Sequence, residues 1–136
     1  MRRETVLYWI FTGLAAAFML MSSIPDVLQL RGAVDIFIHL GFPPYLLPFI
    51  GVAKIAGVVV MLLPMFQKLK EWAYAGLVFD LIGAVYSHIS VGDGPAEWIF
   101  AIVGLLLVLF SYALYRQKIT HREVTHRHGK RNTIAV

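Results

Sequence analysis

Two charged side chains sit where their surroundings should exclude charge. Lys54 lies within Gly51-Val52-Ala53-Lys54-Ile55-Ala56-Gly57 and Asp80 within Val78-Phe79-Asp80-Leu81-Ile82, each deep in an apolar run. A charge at the centre of a bilayer costs on the order of 3 kcal/mol on insertion scales. Both residues are therefore expected to face the interior of a helical bundle or a wet cavity, and to face each other. Ser87 follows Asp80 by seven residues and almost eclipses it on a helix, with His88 about 80° further round. Asp80, Ser87 and His88 thus line one sector from mid-helix to one helix end. An ammonium, a carboxylate and an imidazole beside apolar walls can hold the polar head of a lipophilic molecule such as a quinone. The imidazole adds proton relay, because histidine titrates at about pH 6.5 in water. His39, with Asp26, Asp35, Asp93 and Glu97, is expected on the same side and able to close over the mouth of such a pocket.

Other chemistries find less support. The chain has no cysteine, which excludes disulfides, thiolate ligands and iron–sulfur clusters of its own. Nothing inside the apolar runs has the ligand spacing of a catalytic zinc site. Haem held by His39 and His88 is disfavoured, since one lies in an irregular connection. Ser87 and His88 are adjacent and point apart, so with Asp80 they do not form a triad. Two readings of Lys54 and Asp80 stay open: an ion pair that fixes helix register, or the lining of a ligand site.

The elements that must position these residues follow from composition. Of 136 residues, 59% are hydrophobic and 15% charged, and mean hydropathy is +0.72. Such a chain is too apolar for a water-soluble domain of this size. A helical span takes about 20 apolar residues, and four runs qualify: 5–24, 46–65, 71–90 and 96–115. The expected fold is all-α, an integral membrane four-helix bundle forming a single domain over residues 1–115. Residues 116–136 read as a basic, disordered cytoplasmic tail. Arg2 and Arg3 precede a run long enough to be a retained span rather than a signal peptide.

Pro25 is expected to end the first span, Pro43-Pro44 to precede the second, Pro64 to close it, and Gly92-Asp93-Gly94-Pro95 to turn between the last two. The connection from Asp26 to Tyr45 exceeds the usual bundle loop of about 2–8 residues. Its mixed apolar and polar pattern suits a short interfacial or re-entrant helix between the first two spans. Counted from the hairpin joining the second and third spans, the depths of Lys54 and Asp80 differ by roughly 5 Å, within a lysine's reach. Gly51, Gly57, Ala73, Gly76 and Ala84 accompany the two charges and should let those helices approach closely or leave space beside them.

Ten basic residues (Arg2, Arg3, Lys68, Lys70, Arg116, Lys118, Arg122, Arg127, Lys130 and Arg131) share one side under this topology, against Arg31 alone on the other. The positive-inside rule then places both termini in the cytoplasm and the chain in the inner membrane. Tyr8, Trp9, Tyr45, Trp72, Tyr74, Trp98, Tyr112 and Tyr115 fall near span ends, as interfacial anchors do. The basic tail is explained by topology and lacks a nucleic-acid reading module, so no nucleic-acid partner is expected. Expected partners are the lipid bilayer and a redox or other membrane protein. Gly13 and Ala17, at small-xxx-small spacing, also permit a homo-oligomer.

Gly51-x-x-Lys54-x-x-Gly57, then Lys70-Glu71-Trp72-Ala73-Tyr74-Ala75-Gly76, Asp80, Ser87-His88 and Gly92-Asp93 resemble the DoxX-like family of small bacterial membrane proteins. The resemblance covers most of residues 5–115. It implies a four-helix membrane bundle, with Lys54, Asp80 and His88 as family-pattern polar positions. Relatives are associated with a thiosulfate:quinone oxidoreductase, with membrane redox complexes or with membrane-protein assembly. For a chain without cysteine, a redox role implied by that likeness requires a partner subunit or a bound quinone. The expected function is an accessory or small-lipophilic-ligand-binding membrane protein, with a quinone-linked oxidoreductase subunit as the alternative. A catalytic role for any residue stays open.

Overall fold

The computed structural model describes residues 3–63 and 66–134. Its five helices are α1 (Arg3–Val27), α2 (Arg31–His39), α3 (Leu46–Leu62), α4 (Gln67–Ser90) and α5 (Pro95–Ile134). No strand occurs among the described residues, as an all-α chain requires. α1 packs on α3 and α5, and α4 packs on the same two helices, which closes a ring of four. α2 touches α1 at the edge of that ring.

Two of the helices, α1 and α5, are long and apolar enough to cross a membrane, and α3 is a shorter apolar helix of 17 residues. Polarity is distributed inside out. Thr12, Ser23, Lys54, Lys70 and Ser111 are buried, while Met21, Phe49, Trp72 and Phe100 stand exposed on the outside. Between them lies a core of Ala15, Ala16, Met19, Val58, Met61, Leu77, Leu81 and Val108. Glycines set two of the close approaches. A Cβ on Gly104 would collide with the Phe18 ring where α1 meets α5, and one on Gly51 would lie 2.9 Å from the Val27 backbone nitrogen. Gly51 therefore brings α3 against the end of α1, whereas Gly57 faces Leu77 of α4.

Two helix ends differ most from the sequence expectation. Pro25 does not end α1, which runs one turn further to Val27. The stop comes at Gln29, whose φ of 51° is left-handed. The Leu30 N–H donates to the Pro25 carbonyl and the Gln29 N–H to that of Asp26, the paired bonds of a Schellman ending. Proline removes one donor from the helix, and this ending satisfies the carbonyls that follow. α2 is the expected connecting helix, nine residues long with no buried residue.

The second difference lies beyond Tyr115, where a disordered tail was expected. α5 instead continues unbroken to Ile134. This stretch has no proline, and Thr120, Thr125 and Thr133 each donate to the carbonyl four residues earlier. Residues 120–134 are exposed, so local helix-forming bonds rather than a core hold them. Pro64, expected to close the second span, lies outside the described residues.

Candidate functional site

The last turn of α1, the short α2, the first half of α3 and the second half of α4 surround a cavity of about 510 Å³. Its walls are largely apolar, with Phe37 and Leu40 from α2 and its cap, Phe42, Leu47 and Ile50 around α3, and Phe79 from α4. The polar lining is Ser22 and Asp26 from α1, Lys54 from α3, and Asp80, Ser87 and His88 from α4. Four of the five residues singled out in the sequence thus share one cavity.

The charges are arranged differently from the expected pair. Lys54 Nζ donates to Asp26 Oδ2 at 3.0 Å, while Asp80 Oδ2 stands 4.0 Å away. Lys54 therefore lies between two carboxylates, and Asp26 is its closer partner. The Pro25 turn makes this possible, because continuing α1 through it carries Asp26 inward against Gly51 and Lys54. The Lys54 side chain is 10% exposed, against 27% for Asp80. An ammonium with one firm and one loose partner retains donor capacity toward a ligand in the cavity.

His39, the fifth residue, does not line the cavity but joins it through Asp93. The His88 Nδ1–H donates to Asp93 Oδ2 at 2.7 Å, and the His39 Nε2–H donates to Asp93 Oδ1 at 2.8 Å. This clasp ties the end of α2 to the end of α4 at the cavity rim. Hydrogen bonds from His88 first and His39 second hold the Asp93 carboxyl below the usual carboxylate range. The chain of imidazole, carboxylate and imidazole leads from the cavity wall to His39, whose side chain is 54% exposed. Among the described residues, no three His, Asp or Glu side chains come together closely enough to hold a metal ion.

A second polar cluster occupies the opposite end of the ring. Ser111 Oγ shares hydrogen bonds with Thr12 Oγ1 at 2.6 Å and Tyr74 OH at 2.7 Å. Lys70 is buried, donates to Tyr8 OH at 3.3 Å and lies over the Tyr115 ring at 5.1 Å. Tyr8, Tyr74 and Tyr115, expected as interfacial anchors, are instead core residues with rings packed on one another. Their rings fill the space between α1, α4 and α5, and the hydroxyls of Tyr8 and Tyr74 find partners there. Trp72 and Tyr45 are exposed. Glu71 accepts from Tyr112 and Arg116 at the same end.

A ring of helices with an apolar exterior and buried charges, two of its helices long and apolar enough to cross a membrane, defines a small all-helical bundle. The chain belongs to the DoxX-like family, whose sequence model matches residues 10–111. That match contains every cavity-lining residue as well as His39 and Asp93. No curated protein and no solved structure matches the chain.

Proposed function

We propose that this protein is an integral four-span membrane protein that binds the polar head of a small lipophilic molecule between Asp26, Lys54 and Asp80. Membership of the DoxX-like family and the two spanning-grade helices support the membrane reading. The basic residues cluster at the Lys70 end, so both termini lie in the cytoplasm of a cell with an inner membrane, and the cavity lies toward the outer face. α2 rests at that interface. One observation carries the binding reading: the intramembrane charges line a cavity of about 510 Å³ rather than a sealed contact. Small-molecule sites occupy roughly 300–1,000 Å³, mostly apolar with a few convergent polar groups.

A quinone is the ligand class that suits these walls, with its ring among Phe37, Phe42 and Phe79 and a carbonyl oxygen accepting from Lys54. The His88–Asp93–His39 chain favours the more specific reading of a subunit in a quinone-linked redox complex. Quinone reduction consumes two protons with its two electrons. The imidazole chain carries protons, and a partner subunit supplies the electrons. In the absence of that partner the protein acts as an accessory binding subunit.

None of the three tryptophans lines the cavity, so a reporter is placed there by Phe37→Trp. Titrating this variant with a short-chain quinone, with and without Asp80→Asn, tests the reading. Saturable quenching that weakens in the Asp80→Asn background supports it. Absent quenching, or identical curves in both, sinks it.

A further inference from the structure

A second pocket lies at the other end of the molecule, and its chemistry differs from that of the cavity. It encloses about 80 Å³ between Tyr8, Trp9, Gln67, Lys70, Tyr115 and Lys118, with Arg122 at its rim. Three cationic side chains converge there, and no carboxylate contributes to its lining. The acidic groups nearby are engaged elsewhere: Glu71 with Tyr112 and Arg116, and Glu4 with His121 at 3.9 Å. Among the described residues neither Lys70 nor Lys118 has an ion-pair partner.

Lys70 is only 6% exposed, and its one hydrogen bond goes to the Tyr8 hydroxyl. Lys118 approaches the same ring, with its Nζ 5.0 Å from the Tyr8 centroid and 5.7 Å from that of Trp9. Aromatic faces offset part of the cost of gathering ammonium groups. They do not neutralise them. The Tyr115 hydroxyl is buried beside them without a hydrogen-bond partner, and an orphaned buried donor calls for an acceptor. Two neighbouring ammoniums, a guanidinium and an amide together present donors and positive charge to a space too small for a ring-bearing ligand.

We propose that this pocket is a site for a single tetrahedral oxyanion of the phosphate type, held by Lys70 and Lys118 with Arg122 closing over it. Two sources offer that chemistry: the headgroup of an anionic phospholipid at the membrane surface, or a free phosphate in solution. The site is independent of the ligand proposed for the larger cavity.

Trp9 lines the pocket and reports on it directly. In full-length protein carrying Trp72→Phe and Trp98→Phe, detergent-solubilised samples are titrated with inorganic phosphate while Trp9 fluorescence is followed. In a parallel arm, the protein is titrated with mixed micelles containing phosphatidylglycerol, against diacylglycerol as the phosphate-free control. The expected result is a saturable Trp9 response in at least one phosphate arm and none with diacylglycerol. Lys70→Gln should weaken it at least about tenfold, as loss of a charge-assisted hydrogen bond does, while Lys70→Arg retains it. Lys118→Gln, at a half-buried position, repeats the test without disturbing the core. A response to phosphatidylglycerol alone assigns the site to lipid, and one to inorganic phosphate assigns it to a soluble anion. No phosphate-dependent response in either arm, or one that survives both glutamine variants unchanged, overturns the proposal.

Discussion

Gly51→Ala tests the contact on which the cavity's charge arrangement rests. A Cβ at this position would stand 2.8 Å from Val27 Cγ2, 2.9 Å from the Val27 nitrogen and 3.0 Å from Asp26 Cβ. Carbon contacts are comfortable at about 3.5–4.0 Å, so the last turn of α1 must retreat from α3 by roughly 0.7 Å or more. The Val27 methyl could rotate away, but a backbone nitrogen has no such freedom. Overpacking of this kind costs about 1–3 kcal/mol, and two backbone-fixed contacts place it in the upper half of that range. Replacing glycine in a helix returns about 1 kcal/mol in propensity, leaving a net destabilisation of about 1–2 kcal/mol. Gly76→Ala on α4 supplies the control, since nothing lies within 4 Å of its added Cβ; it should stabilise by up to about 1 kcal/mol. Thermal melts followed by circular dichroism in one detergent compare the two. Since the retreating turn carries Asp26, the Phe37→Trp quinone titration should also weaken in Gly51→Ala and not in Gly76→Ala. If Gly51→Ala melts as high as Gly76→Ala, α1 and α3 do not meet at Asp26 and Gly51, and the account of Lys54 fails with them.

Four further outcomes follow from the same geometry. Lys54→Met leaves Asp26 and Asp80 facing each other without their cation and should cost about 3 kcal/mol or more in chemical or thermal unfolding; Asp26→Asn should be more damaging than Asp80→Asn, because its oxygen is at 3.0 rather than 4.0 Å. Ser111→Ala removes both hydrogen bonds that join Thr12 to Tyr74 and should cost about 2 kcal/mol, against about 1 kcal/mol for Thr12→Val, which removes one. Asp93 has a folded-state pKa lowered by its two imidazole donors, so its stabilisation is fully present above the ordinary carboxylate pKa of about 3.9 and is lost as pH falls through the lower folded value. Melting temperatures of wild type and Asp93→Asn should therefore differ at pH 7 and converge only below about pH 4; convergence already at pH 6 would refute the clasp.

Lys54, Asp80, Ser87 and His88 were legible in the sequence because charge and hydrogen-bonding groups inside apolar runs are anomalous wherever the helices end up. Asp26 was placed only near the pocket mouth and not beside Lys54, since the proline before it reads as a helix stop. Only the left-handed Gln29 and its paired backbone bonds show that α1 survives for another turn. Lys70 failed to stand out for the opposite reason. Near a span end a lysine looks like a topology marker and a tyrosine like an interface anchor, and nothing local distinguishes an outward face from one turned toward α1 and α5. The continuation of α5 was hidden by composition. A basic polar stretch without a hydrophobic face gives no periodic signal, although its residues lack the prolines that would have broken the helix.

The length of α5 has a mechanical meaning. Forty residues of helix measure about 60 Å, and the hydrocarbon layer accounts for only about 30 Å of that. In the membrane orientation proposed above, the remainder stands in the cytoplasm as a rod continuous with the bundle, bearing Arg122, Arg127, Lys130 and Arg131. A rod transmits torque where a loose tail does not. Any protein that grips its far end holds a lever whose fulcrum is the packing of α5 against α1 and α4, the place where Lys70, Lys118 and the tyrosine rings meet.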